Sequence, residues 1–224
     1  ISNKSKKLGE IINSSVGFIA KSGTISLKRE NQNQIKIVKG ENVKRYGLVG
    51  NFYFDFRKLN LVGGTQNEEK LSKKNKIFLR KTGIDLIVSF DDSGIYPEQS
   101  LYFIYGEDKE YMLSLLSILN SNLINIYYQN FAVTNRDATP QLKKADLDKF
   151  PIIINEKSKK ILAKYSKEML DLNKKLQAVP ENSEKWLDLK REIDKLDKKI
   201  DVEVYKLYGL SEEEIKIVES QPSR

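Results

Sequence analysis

The stretch KIFLRKTGIDLIVSFDDSGIYPEQSLYFIYG, from Lys76 to Gly106, decides the fold. It holds three runs rich in β-branched and aromatic residues: Lys76 to Thr82, Ile84 to Asp92 and Ser100 to Gly106. Such side chains suit a pleated surface, so each run reads as a strand. Lys81-Thr82-Gly83 marks a tight turn between the first two runs, and Asp91-Asp92-Ser93-Gly94 marks another. Short turns between neighbouring strands predict antiparallel pairing. Upstream, Ile35 to Val38 and Leu48 to Phe56 read as two further strands. Downstream the period changes from two to that of a helix. Tyr111, Leu115, Ile118 and Leu119 share one helical face, and Leu123, Ile126 and Tyr127 begin a second helical stretch after Asn120 and Asn122. Pro140 and Pro151 bracket QLKKADLDKFP, a strand followed by one helical turn.

Beyond Asn155 the apolar residues fall into heptads. Leu162, Tyr165, Met169, Leu172 and Leu176 are spaced 3, 4, 3, 4, and Trp186, Leu189, Ile193, Leu196 and Ile200 repeat the spacing. Two antiparallel helices over about 157–178 and 183–208 follow, joined at Pro180 and Asn182-Ser183 and closed by Gly209. Ser211-Glu212-Glu213-Glu214 is a capping box that opens a short last helix to about Glu219. An intramolecular hairpin explains the heptads; a dimerising or spacing coiled coil is the alternative. The fold class is therefore α+β: a mixed, largely antiparallel sheet with packed helices over residues 1–154, then an antiparallel helical hairpin and terminal helix over 155–224.

The chain has 39 Lys plus Arg against 31 Asp plus Glu, a formal charge of +8. The first 150 residues carry 23 basic and 16 acidic side chains, and the remaining 74 carry 16 and 15. An excess confined to one region suits a polyanion-binding part followed by a charge-balanced one. There is no His and no Cys. Nucleophiles paired with His, Cys chemistry, thiolate or imidazole metal sites and disulfides are excluded by inventory. The 39% hydrophobic content and 20 Phe plus Tyr suffice for a real core. The early apolar segment LGEIINSSVGFIA is interrupted by Glu10 and Asn13 and does not read as a secretory signal. No run of about 18 apolar residues predicts a membrane span, so a cytoplasmic protein is expected. Ile1 in place of Met suggests a piece of something longer.

Carboxylate chemistry is the remaining catalytic option. A Mg²⁺-dependent nuclease needs an Asp and, a short distance on, Glu-x-Lys, so that two carboxylates hold the metal and Lys assists water. Asp55 with Glu68-Glu69-Lys70, Asp91 with Glu107-Asp108-Lys109 and Asp201 with Glu214-Ile215-Lys216 all satisfy that filter. Three matches in a chain with this many charges show that it selects little, and solvated charges explain them. Gly63-Gly64-Thr65 lacks the Lys-Ser/Thr of a P-loop and reads as a turn. No catalytic or metal-binding residue is assigned.

Nucleic-acid binding fits better. Lys73, Lys74, Lys76, Arg80 and Lys81 cluster on and before one strand, Arg136 sits in the polar loop VTNRDAT, and Lys143-Lys144 follow Gln141. Lys73, Lys74, Lys81, Lys143 and Lys144 are candidates for phosphate contacts; Arg80, Asn135, Arg136 and Gln141 are candidates for reading base edges. The competing explanation is general surface use, since 32 of the 39 basic residues are Lys.

KIFLRKTGIDLIVSFDDSGIYPEQSLYFIYG, then LLSILNSNLINIYYQNF, then TPQLKKADLDKFPI, resembles the TaqI-like C-terminal specificity domain of N6-adenine DNA methyltransferases and type IIG restriction-modification enzymes. KKLGEIINSSVGF with IKIVKGENVKRYG is similar to the opening of such a target-recognition domain, and IDVEVYKLYGLSEEEIKIVE to the end of these enzymes. The resemblance implies a domain that grips double-stranded DNA, mainly through the major groove, and presents an adenine to an upstream methyltransferase domain in the same chain. In the family that domain binds S-adenosylmethionine and carries Asn-Pro-Pro-Tyr/Phe. This chain has no Asn-Pro-Pro, so no cofactor is expected here; S-adenosylmethionine, and Mg²⁺ where a nuclease is fused, belong to the parent. The rivals are half of a type I restriction specificity subunit, the Mg²⁺-dependent nuclease using Asp55, Glu68 and Lys70, and a protein-interaction module built on the hairpin.

Overall fold

The computed structural model describes residues 4–134 and 139–221. Two four-stranded sheets are built from β1 (Asn13–Val16), β2 (Gln34–Val38), β3 (Phe52–Asp55), β4 (Lys76–Arg80), β5 (Val88–Asp91), β6 (Leu101–Tyr105) and two short edge strands. The first sheet runs β5-β4-β6-β1 and is antiparallel throughout, with Phe78 opposite Ser89 on one side and Phe103 on the other. In the second, β2 pairs antiparallel with β3, Ile25–Ser26 lines the outer edge of β3, and Tyr96–Pro97 runs parallel to β2.

The near-continuous apolar runs of β4 and β6 follow from their position. Both faces of the first sheet are covered, so the usual alternation of apolar and polar residues is lost. Ile77, Leu79, Val88, Tyr102 and Ile104 point into a core shared with the helices. Phe78, Leu101 and Phe103 point the other way, into a smaller core with Phe18, Ile37 and Phe54. Phe18 stacks on Phe54 with ring centroids 4.8 Å apart, and Phe56 meets both edge-on. Each fully buried aromatic or aliphatic side chain stabilises the fold by roughly 1.5–3 kcal/mol.

The helical layer consists of α1 (Lys109–Leu119), α2 (Asn122–Tyr127), a one-turn α3 (Lys144–Leu147), α4 (Glu156–Gln177), α5 (Glu184–Tyr208) and α6 (Glu212–Ser220). Asp108 caps α1 by accepting from the Tyr111 N–H at 3.0 Å. Sequence periodicity assigns α1 one apolar face, yet Met112, Leu113, Leu115 and Leu116 are all buried, because the helix lies between the sheet and α4. Small residues let the two helices approach: Ser117 Oγ donates to the Leu162 carbonyl at 2.9 Å and lies 2.7 Å from Ser166 Oγ. The expected hairpin is present, with ends within one residue of the predicted ones. Gly209 adopts φ 69°, and the N–H groups of Gly209 and Leu210 reach the carbonyls of Lys206 and Tyr205, closing α5 as a Schellman motif. The heptad residues Leu162, Met169, Leu172, Leu189, Ile193 and Leu196 are buried in the chain's own core.

Two strand expectations need correction. In the Ile84 to Asp92 run only Val88–Asp91 is strand. Gly83, at φ 137°, turns the chain away, and side chains from α2 then hold residues 83–86 as a loop, as described below. The Leu48 to Phe56 run breaks at Gly50, whose φ of 67° suits glycine, so that Gly47–Leu48 pairs with Val43–Lys44 and Phe52–Asp55 joins the second sheet.

Two ion pairs tie these layers together. Arg45, in the Val43–Lys44/Gly47–Leu48 hairpin, grips Asp197 of α5 through both guanidinium NH groups and donates to the Asn120 carbonyl at 2.9 Å. Lys76, fully buried at the start of β4, donates from Nζ to the Leu71 carbonyl at 2.6 Å and lies 3.5 Å from Asp91 Oδ2. Asp91 also accepts from Ser93 N and Gly94 N, which shapes the predicted Asp-Asp-Ser-Gly turn.

Removing one partner of a largely desolvated pair leaves the other uncompensated, so Arg45→Ala should cost about 3 kcal/mol, read as a lower urea midpoint. A pH effect is also expected. Burial pulls Lys76 down to about 8, against the opposing attraction of Asp91. Between there and the ordinary lysine range, the unfolded chain binds more protons than the folded one. Stability should therefore rise with pH from about 8 to about 10.5, by up to about 3 kcal/mol. Lys76→Met should lack this rise when unfolding is measured across the same window.

Candidate nucleic-acid interface

At the end of β4 the chain leaves the first sheet and enters a small three-stranded ribbon. Lys81 N–H still bonds to the Ser100 carbonyl at 3.1 Å, while its own carbonyl accepts from Leu142 N–H at 2.8 Å. Thr82 forms a bridge with Gln141, and Gly83 N–H bonds to the Pro140 carbonyl at 3.1 Å. The strand β8 (Gln141–Leu142) pairs on its far side with β7 (Val133–Thr134), placing Thr134 opposite Gln141. Leu142 is buried and anchors the ribbon in the helical core.

The following loop is fastened from α2. Asn125 Oδ1 accepts from Leu86 N–H at 2.8 Å, and its amide donates to Asp85 Oδ1 at 3.1 Å. Gln129 Nε2 donates to the same carboxylate at 2.9 Å, and Tyr128 Oη donates to the Gly83 carbonyl. Tyr128 opens a π-helical turn, Tyr128–Ala132, a rare form often found at functional sites. Ile84 and Phe131 are left 50% and 75% exposed.

The sequence candidates divide into two groups. Arg80, Lys81, Gln141 and Lys143 come together around the Thr82–Gln141 bridge. Among the described residues, Arg80 Nε is buried without a hydrogen-bond partner. Lys81 Nζ sits 5.2 Å from the centre of the Tyr102 ring, which steadies it without neutralising it. Lys144 follows in α3 and is held by both carboxylate oxygens of Asp148 at 2.6 Å. Lys73 and Lys74 lie at the other end of β4, a strand length of roughly 15 Å away. Lys73 pairs with Glu107 at 3.1 Å, a hydrogen bond and charge that hold it above the usual lysine range. Lys74 is exposed, near the Asp92 carboxylate. Lys76, which sequence proximity groups with these, is buried and paired. Asn135 and Arg136 lie outside the described residues. Sequence reasoning missed Thr82, Thr134 and the fastening amides; Asn125 and Gln129, amides four residues apart across α2 and the π-helical turn that follows it, were the available signal.

The carboxylates considered for metal chemistry have other engagements. Asp55 bonds to Arg57 Nε at 2.9 Å, Glu68 accepts from Tyr96 Oη at 3.3 Å, and Asp201 accepts from the Asn122 N–H at 2.7 Å. Among the described residues, no three Asp or Glu side chains converge in a way that would hold a metal ion. Gly64 does not form a nucleotide cradle: it packs against the Gly17 backbone, where an added Cβ would fall 2.3 Å from the Gly17 carbonyl oxygen.

Asn125→Ala leaves the buried Leu86 N–H without its acceptor. It should cost about 1–3 kcal/mol and speed hydrogen exchange at Leu86 relative to the amides of β4, measured by NMR.

No protein of curated function matches the sequence. In structure, the chain is similar to the type IIL restriction-modification enzyme MmeI, solved in complex with DNA, with a TM-score of 0.64, 13% identity, and coverage of 96% of this chain and 36% of MmeI. It is also similar to the type IIG restriction endonuclease BpuSI, with a TM-score of 0.50 and 10% identity over 92% of this chain and 32% of that one. A type I S subunit from M. genitalium gives a TM-score of 0.48 and 12% identity over 80% and 42%. The chain thus spans about a third of the length of MmeI and BpuSI. The model of the TaqI-like C-terminal specificity domain matches residues 35–152, from β2 to the Pro151–Ile152 strand, which takes in the ribbon and every strand of the two sheets except β1 and Ile25–Ser26. The chain belongs to the family of TaqI-like C-terminal specificity domains.

Proposed function

We propose that the chain recognises a specific sequence of double-stranded DNA on behalf of an N6-adenine methyltransferase domain located elsewhere in a longer protein, alone or fused to a nuclease as in type IIG enzymes. The observation that carries this reading is the gathering of Arg80, Lys81, Gln141 and Lys143 on one rigid ribbon, where the described residues leave them without a carboxylate partner. Cations held in place but not neutralised internally are what a phosphate backbone needs, and an exposed amide beside them can address base edges. Membership of the specificity-domain family supports the same conclusion.

The hairpin buries its heptad residues within this chain, so we assign it to bracing the sheet. S-adenosylmethionine would supply the methyl group when bound to the catalytic domain, and Mg²⁺ enters only with a nuclease. This chain's own part is to bind and orient the duplex. No helix among the described residues is long and apolar enough to cross a membrane, and the reading places the protein with DNA in the cytoplasm.

Titrating the full chain into a fluorescent duplex pool at several salt concentrations tests the proposal. With about three phosphates neutralised by Arg80, Lys81 and Lys143, log affinity should fall against log salt with a slope of about −3. Absence of binding at low salt, or a flat salt dependence, would refute it.

A further inference from the structure

We infer that Thr82, Gln141 and Thr134 form a base-reading row in which Gln141 addresses an adenine in the major groove. This deepens the DNA-recognition reading and rests on it. The register carries the argument. Gln141 lies directly opposite Thr82 on one side and Thr134 on the other, and residues directly opposed on antiparallel strands put their side chains on the same face. Their sequence neighbours take the other face: Leu142 is buried in the helical core, and Val133 packs against it. The row therefore faces outward, away from the helices. It is the side of the ribbon continuous with Arg80, whose alternate neighbour Phe78 also points away from the helical core.

At the usual strand separation, the three residues span about 10 Å, which a major groove about 12 Å wide accommodates. The row is held firmly by the backbone bonds from Leu142 to Lys81 and from Gly83 to Pro140, at 2.8 and 3.1 Å. Thr134 Oγ1 donates to the Gln141 carbonyl at 3.2 Å, which orients the Thr134 side chain. The Gln141 carboxamide is exposed and makes no hydrogen bond to the described residues. Among the described residues nothing competes for its one donor and one acceptor, which lie side by side.

That pair matches the adenine edge, where N7 accepts and N6 donates. Both threonines offer a methyl group to a thymine methyl, and Thr82 also offers a hydroxyl that suits any base, whereas the Thr134 hydroxyl proton is engaged by the Gln141 carbonyl. Charge is distributed accordingly. The row is uncharged, whereas Arg80 and Lys143, each two residues from a member of the row, flank it; Lys81 turns to the opposite face, over the Tyr102 ring. Phosphate contacts on the flanks would set the register while the neutral row reads the sequence.

The test is selection of duplexes from a randomised pool by the full chain, followed by sequencing, with Gln141→Ala, Gln141→Arg and Thr82→Val compared at matched circular dichroism. Wild type should enrich a site with one adenine that Gln141→Ala no longer prefers, discrimination at that position falling by about 10- to 100-fold. The salt slope should stay unchanged, and Gln141→Arg should move the same position towards guanine. Thr82→Val should weaken preference at an adjacent position only. If Gln141→Ala enriches the same site as wild type at every position, or loses affinity uniformly with a smaller salt slope, the row is not a reader. If wild type binds DNA with no preference, this inference falls and the DNA-binding reading stands; if it binds no duplex, both fall.

Discussion

Everything else in this protein depends on a sheet that is buried on both faces. In β4 and β6, successive side chains enter different cores: Ile77, Leu79, Tyr102 and Ile104 face the helices, while Phe78, Leu101 and Phe103 face the second sheet. A slip of one residue would exchange the two sets. The helical core would then receive the alternate set, which includes the Lys76 ammonium now held by Asp91 and the Leu71 carbonyl. Register is therefore specified twice, by apolar shape and by one buried charge.

That fixed register positions the candidate site. Because β4 cannot shift, Arg80 and Lys81 leave the sheet at a defined point and Thr82 meets Gln141 there. The helical layer secures the next loop through Asn125, Tyr128 and Gln129, and Arg45 clamps α5 to the Asn120 carbonyl at the end of α1. The helices are thus part of the device that holds the ribbon, and the near-neutral hairpin makes sense as a brace whose charges need not face a polyanion.

The parts of the fold legible in the sequence are those with long periodic signals. The heptads located α4 and α5 to within a residue, because 3.6-residue periodicity over twenty residues is hard to imitate. The strands at 76–80 and 101–105 were legible because both of their faces are apolar. Two-residue ribbons such as Val133–Thr134 with Gln141–Leu142 leave no periodic trace. The loop at 84–87 reads as strand because Ile84, Leu86 and Ile87 have strand-like composition, and it is amides from a distant helix that prevent pairing.

The sequence by itself supplied the grounds for the class of partner proposed. A basic surplus in the first 150 residues, no His or Cys, and the resemblance of Lys76 to Gly106 to a specificity domain all follow from residue identity and order. Only the tertiary structure decided which charges are available. Lys73, Lys76 and Lys144 look equivalent to Lys81 and Lys143 along the chain, yet Glu107, Asp91 and Asp148 engage the first three. Asp148 is a local partner, four residues on from Lys144, but Glu107 and Asp91 reach Lys73 and Lys76 from distant parts of the chain. For those two lysines, facing solvent or a counter-ion is set by packing across the fold, which local sequence does not encode.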